Sequence, residues 1–224
     1  MSIRTVSYIA AIEHMPQGAT LHIPAVPWED YEQLLAELGD EYHVRVSYDS
    51  GCLAIMSPLP EHEEFAEVIQ DIAREITRAL GVKLETRGSM TMRSVWQSKG
   101  AEPDICFYVQ NAARIIGKRS LDFTVDPPPD IVVEIDLTNA SQPKFPIYAA
   151  LGVPEIWRYD GRTVYFYALV GAEYVTTAHS RAFPFLPGAV LAQCIEQSKT
   201  AGQDAALDAV RAWVRTHKPQ SEDR

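Results

Sequence analysis

Cysteine is scarce: the chain has three, Cys52, Cys106 and Cys194, far apart and odd in number. Two sit in apolar strand-like runs, where cysteine acts as a small hydrophobe. A disulfide framework or a zinc site is therefore not expected to organise the fold. Long apolar runs are also missing, and nothing approaches the roughly 20 residues of a membrane helix. The opening stretch has one arginine, a short apolar segment and an acidic residue close behind, which does not read as a signal peptide. A cytoplasmic location is the expectation. No glycine-rich phosphate loop follows a strand, and no serine sits in a nucleophile elbow. His14, His22, His43, His179 and His217 show no metal-ligand spacing. Cations are in deficit, with 20 Lys and Arg against 30 Asp and Glu, a net charge of −10. That balance excludes a protein that coats nucleic acid through clustered basic residues. It leaves room for an enzyme that touches few phosphates around a bound metal.

What is present is ordinary for a globular chain. The 224 residues suffice for one sizeable core, and 46% are hydrophobic and 22% charged. Residues 1–27 are weakly patterned and read as an arm. Trp28, Tyr31, Leu34, Leu35 and Leu38 recur at helical spacing up to Gly39. Residues 42–48 and 52–56 flank an Asp49-Ser50-Gly51 turn as a hairpin. The longest helix candidate, 61–80, carries an apolar stripe of Phe65, Val68, Ile69, Ile72, Ile76 and Leu80 and ends at Gly81. Two short strands are expected around Gly88, then apolar strands at 105–109 and 131–136. A short helix at 145–151, a three-stranded meander over 155–177 and helices over 188–216 follow, with a polar tail from 218. The expected class is α/β (α+β): a mixed central sheet flanked by helices.

Chemistry points to two carboxylates beside apolar strands. Asp104 stands at the entrance of the strand at 105–109. Glu134 lies inside Ile131-Val132-Val133-Glu134-Ile135-Asp136, where alternation places Glu134 and Asp136 on one face. A carboxylate in a core strand is costly unless it is paired or binds a metal. Hard cations such as magnesium use a few carboxylate oxygens and keep several waters. Carboxylates that simply face solvent, or that pair with arginine, would give the same pattern.

The segment that follows narrows the choice. Pro103-Asp104, the strand ending Glu134-Ile135-Asp136, Lys144 with Tyr148 four residues on, and Gly152-Val153-Pro154-Glu155-Ile156-Trp157 together resemble the Uma family of restriction-type endonucleases, within the PD-(D/E)xK nuclease superfamily. Ile55-Met56-Ser57-Pro58 followed by His62-Glu63 resembles the family's hairpin-to-helix junction, and the likeness spans roughly residues 28–200.

The resemblance implies a restriction-endonuclease-like core that binds Mg2+ (or Mn2+) and cleaves DNA, with Asp104 and Glu134 as metal ligands and catalytic residues. The superfamily places a lysine two residues after the glutamate, whereas this chain has Asp136 there. The family moves that lysine to the next helix, here Lys144, whose long stem can carry an ammonium back over the strand end. His62, Glu63, Glu102 and Asp136 are candidate supporting residues. Arg87, Arg93, Lys99, Arg114, Lys118 and Arg119 form the nearest approach to a basic patch. The implied organisation is an arm (1–27), an endonuclease-like domain (28–200) and a C-terminal helix with a polar tail (201–224). A homodimer is expected, because the two strands of duplex DNA are related by two-fold symmetry. Two alternatives stay open: an interaction domain with a decayed site, and a phosphodiesterase acting on RNA or a small phosphoester.

Overall fold

The computed structural model describes residues 3–39, 42–137 and 141–219. In chain order the elements are α1 (Ile3–Ile12), β1 (Thr20–Ile23), α2 (Trp28–Leu38), β2 (Arg45–Asp49), β3 (Cys52–Met56), α3 (Pro60–Leu80), β4 (Glu85–Thr86), β5 (Met92–Ser94), β6 (Lys99–Ala101), β7 (Ile105–Tyr108), α4 (Ala112–Ile115), β8 (Ile131–Ile135), α5 (Phe145–Ala150), β9 (Glu155–Tyr159), β10 (Val164–Val170), β11 (Glu173–Thr177), α6 (Gly188–Ala201) and α7 (Gln203–His217). They build an α/β molecule with two sheets. One has six strands in the order β11-β10-β9-β8-β7-β4, the other five in the order β1-β3-β2-β6-β5.

The six-stranded sheet follows from the apolar runs read in the sequence. Its centre is the parallel pair β8–β9, joined by a crossover through α5. Its flanks are antiparallel, so the meander β9-β10-β11 needs only short turns. Alternation sorts β8 between two packed faces. Ile131, Val133 and Ile135 join Phe107, Trp157 and Tyr159 beneath the apolar faces of α3, α6 and α7. Val132 instead meets Cys106, Ile156 and the α5 residues Ile147 and Tyr148. Glu134 is in phase with Val132, so its side chain emerges on the α5 face.

The helix α3 ends where the sequence indicates. Gly81 adopts a left-handed φ of 68°, and its N–H and that of Val82 bond to the Arg78 and Thr77 carbonyls. A residue with a Cβ is strained in that conformation. At the other end of α3 the buried His62 ring accepts from the Leu59 N–H at 3.0 Å and serves as the cap.

Two expectations need correction. The stretch read as an arm is built into the fold. Residues 3–12 form α1, and β1 adds an antiparallel edge strand to β3. Ile12, Leu21 and Ile23 pack with α2 around Tyr31, Leu34 and Tyr48. The signal was weak because an edge strand of four residues holds few apolar positions. The short strand β6 was also missed, since Lys99-Gly100-Ala101 lacks β-branched residues. It is held between β2 and β5 by tertiary pairing. Of the expected polar tail, residues 220–224 lie outside the described residues.

Candidate active site

The antiparallel register of β7 and β8 pairs Ile105 with Val133. One step further along the same register sets Asp104 opposite Glu134. The Asp104 N–H donates to the Val133 carbonyl at 3.2 Å, and the Ile135 N–H donates to Asp104 Oδ2 at 2.7 Å. The two residues are only 4% and 2% exposed. Carboxylates opposed across a strand pair repel and lose their hydration, so each is harder to ionise than in water. Burial pushes Glu134 up to about 7, with Lys144 opposing the rise and Asp104 adding to it. Burial likewise raises Asp104, opposed by Lys144, the Ile135 N–H, His62 and Arg45.

Lys144 supplies the compensating charge. It closes a single 3₁₀ turn, Gln142–Lys144, at the start of the β8–β9 crossover. Its Nζ donates to Glu134 Oε2 at 2.8 Å, to Glu134 Oε1 at 3.1 Å and to the Glu102 carbonyl at 3.3 Å. Burial works against the ammonium, but Glu134 and then Asp104 outweigh it and hold the Lys144 pKa above its ordinary value. Tyr148, one helical turn on, donates its hydroxyl to Glu134 Oε1. By residue type alone Tyr148, within an apolar helix, is more often a core aromatic. It is fully buried, yet its polar end serves the carboxylate.

Asp136 occupies the position where the superfamily has its lysine, and its charge is spent on the backbone around the site. It pairs with Arg158 and accepts from the Ser141 N–H at 2.9 Å and the Ser141 Oγ at 3.2 Å. Ser141 in turn accepts the Lys144 N–H through its carbonyl at 2.7 Å. The Arg158–Asp136–Ser141 chain thus ties β9 and β8 to the turn that presents Lys144. The intervening loop residues 138–140 lie outside the described residues.

The other candidates divide. His62 lines the site cavity, but Glu63 on the same turn of α3 points outward with its side chain 59% exposed. Glu63 reaches the site only through Arg45, which it pairs with at 2.5 Å. Glu102 faces away: its carboxylate accepts from the Val46 N–H and the Thr91 hydroxyl, and only its backbone carbonyl meets Lys144. The basic cluster does not converge on the site. Arg87 donates to the Ile115 carbonyl, while Arg93, Lys99 and Lys118 pair with Glu32, Asp49 and Asp126. Neither they nor Arg114 and Arg119 line the cavity that holds Glu134.

One charged side chain at the candidate site escaped the sequence. Arg45 on β2 is nine-tenths buried, and its Nε lies 3.9 Å from Asp104 Oδ1. An arginine in a strand of mixed polarity carries no local mark of burial. Only the packing of the two sheets reveals it.

Glu134, Asp136, Lys144, His62 and Arg45 line a cavity of about 270 Å³ at the carboxyl end of β8, and Asp104 lies buried behind that lining. A larger cleft of about 890 Å³ beside β5 and β6 contains none of Asp104, Glu134 and Lys144. Asp104 Oδ1 is buried and has no hydrogen-bond partner among the described residues. A buried acceptor left open beside a second carboxylate suits a hard cation, which needs only one or two carboxylates and completes its shell with water. No group of three or more His, Cys, Asp and Glu side chains gathers at this site or elsewhere among the described residues, so an ion here would rest on the two carboxylates and water.

Comparison with known proteins identifies a family and a fold. A family model described as "Uma2: Putative restriction endonuclease" matches residues 28–194. No curated protein matches the chain. Among solved structures, the "crystal structure of a putative nuclease belonging to DUF820 from Anabaena variabilis ATCC 29413" is similar, with a TM-score of 0.50 and 14% identity. The match covers 84% of this chain and 99% of that one, and at such identity it speaks for the fold.

Proposed function

Because the chain belongs to the Uma2 restriction-endonuclease family, we propose that it is a metal-dependent nuclease hydrolysing DNA phosphodiester bonds at Asp104, Glu134 and Lys144. The observation that carries this reading is the meeting of the Lys144 ammonium, the Glu134 carboxylate and the open Asp104 Oδ1 at one strand end. Asp104 and Glu134 would hold magnesium or manganese. Such an ion, when bound, polarises a phosphoryl oxygen and acidifies a coordinated water.

The remaining work falls to the chain. Lys144 stays protonated at neutral pH, because its pKa lies above the ordinary lysine value. Its ammonium can orient the attacking water and offset charge on the pentavalent phosphate. Tyr148 fixes one Glu134 oxygen, leaving the carboxylate little freedom to rotate away. Asp136, through Ser141, fixes the turn from which Lys144 projects. Close placement of this kind lowers the barrier before chemistry begins. The protein would act in the cytoplasm as a two-fold dimer when it cuts both strands.

The test is incubation of supercoiled plasmid with purified protein and magnesium or manganese. Nicking is expected, with losses of about 10²–10³-fold in Lys144→Ala and complete loss in Asp104→Ala and Glu134→Ala. Intact plasmid under every divalent ion, with no metal binding by calorimetry, would favour the interaction domain. An RNA substrate in parallel separates the two nucleic acids.

A further inference from the structure

The wall of the cavity facing Glu134 comes from the five-stranded sheet. Thr20 on β1 and Arg45 on β2 are both register partners of Met56 on β3. The three residues therefore form a row across neighbouring strands with side chains on one face, and all three line the cavity.

Both polar members of that row are incomplete. Thr20 Oγ1 and Arg45 Nε are buried and lack a hydrogen-bond partner among the described residues. One arm of the Arg45 guanidinium is taken by Glu63, but the 3.9 Å from Nε to Asp104 Oδ1 is too long for a hydrogen bond. Buried polar groups are almost always paired, and an unpaired one costs about 1–3 kcal/mol. Two unpaired donors on side chains that line one cavity suit a ligand that brings several acceptors. The nearby Lys144 fits an anion, and the arginine fork fits the oxygens of a phosphate. Asp104 Oδ1, also unpartnered, is an acceptor and suits the cation instead.

We propose that this wall is a phosphate-holding subsite, in which the Arg45 Nε–H and the Thr20 hydroxyl donate to non-bridging oxygens of a phosphodiester. The identification of that phosphate as part of a nucleic acid rests on the nuclease reading. Residue 20 lies before the family-matched segment, which begins at residue 28, so half of this subsite comes from the preceding chain. The volume of about 270 Å³ falls just below the roughly 300 Å³ at which pockets for drug-sized ligands begin. A phosphate with its adjoining sugar atoms is the matching size.

The test uses the full chain in EDTA, so that no divalent ion contributes to anion binding. Inorganic phosphate is titrated by calorimetry and by following arginine Nε–H signals in ¹H–¹⁵N spectra. One arginine Nε–H signal should shift and saturate in the wild type and be missing from Arg45→Lys. That variant keeps the charge facing Asp104 and Glu63 but should lose phosphate affinity beyond detection. Thr20→Val should bind about tenfold more weakly, the effect of one lost hydrogen bond, and Thr20→Ser should bind as the wild type does. Arginine signals indifferent to phosphate, or Arg45→Lys binding like the wild type, would show that Arg45 is only a counter-ion of Asp104. Equal binding by Thr20→Val and Thr20→Ser would overturn the role of the hydroxyl even if Arg45→Lys failed to fold. Cleavage is not involved, so a negative plasmid assay leaves this result intact and identifies which of the two readings has failed.

Discussion

Glu134 shows how burial sets the charge of a single side chain. Its carboxyl is pushed up to about 7 by burial, while hydrogen bonds from Lys144 and Tyr148 pull it down. Tyr148→Phe removes one of those stabilising bonds, so the Glu134 pKa should rise. The acidic limb of the cleavage pH profile should then move to higher pH, which kcat/KM measured across pH would reveal. The same raised pKa has a consequence for stability. The folded state holds the proton more tightly than the unfolded chain. The metal-free protein therefore loses stability from this group as pH rises from the ordinary carboxylate range through about 7. Metal ligands must be deprotonated, so magnesium should raise Tm more at about pH 8 than at about pH 6. Thermal melts followed by circular dichroism check this, and an equal shift at both pH values would contradict a Glu134 ligand.

At the scale of elements, the crossover from β8 to β9 decides where Lys144 sits. The turn carrying it is anchored by Asp136 to Ser141 on one side and to Arg158 of β9 on the other. The side chains of Asp136 and Arg158 are 5% and 16% exposed, so the pair is largely removed from water. Breaking such a pair leaves a poorly solvated cation. Asp136→Asn should cost roughly 2–4 kcal/mol of stability, measured by urea unfolding. It should also lower kcat more than it changes KM, since the turn that aims the ammonium loosens. Asp136→Glu, which restores the charge, should recover part of both. The departure from the superfamily's lysine position is therefore coherent: the aspartate there holds the element that returns the lysine from elsewhere.

Across the whole molecule, a net charge of −10 meets a polyanionic substrate. Of the basic residues between the strands, Arg93, Lys99 and Lys118 are paired with carboxylates and Arg87 bonds a backbone carbonyl, which leaves them little free charge for a duplex. Binding should rest on the few phosphates at the cavity. Each phosphate contact to B-DNA contributes a slope of about −0.9 in log K against log salt. Fluorescence anisotropy with a short duplex should therefore give a shallow slope, no steeper than about −3. A steep slope would mean that a wider surface engages the backbone. No described helix is long and apolar enough to cross a membrane.

Periodicity and punctuation alone determined much of this protein. The amphipathic stripe of α3, the β-branched run of β8, the meander and the crossover helix α5 are each written in local spacing, because backbone pairing follows the side chains that must be buried. The acidic residues beside those strands marked the site for the same reason: a charge in an apolar run calls for a partner. Local spacing could not say which partner. Tyr148 reads as core until the fold turns its hydroxyl to Glu134, and Arg45 reads as a strand surface until the two sheets close over it. Glu63 and Glu102 read as candidate supporting residues, and the fold turns their carboxylates away from Glu134. Those outcomes depend on contacts between residues far apart in the chain. Only the tertiary structure, which brings the five-stranded sheet against the carboxyl end of β8, decided them.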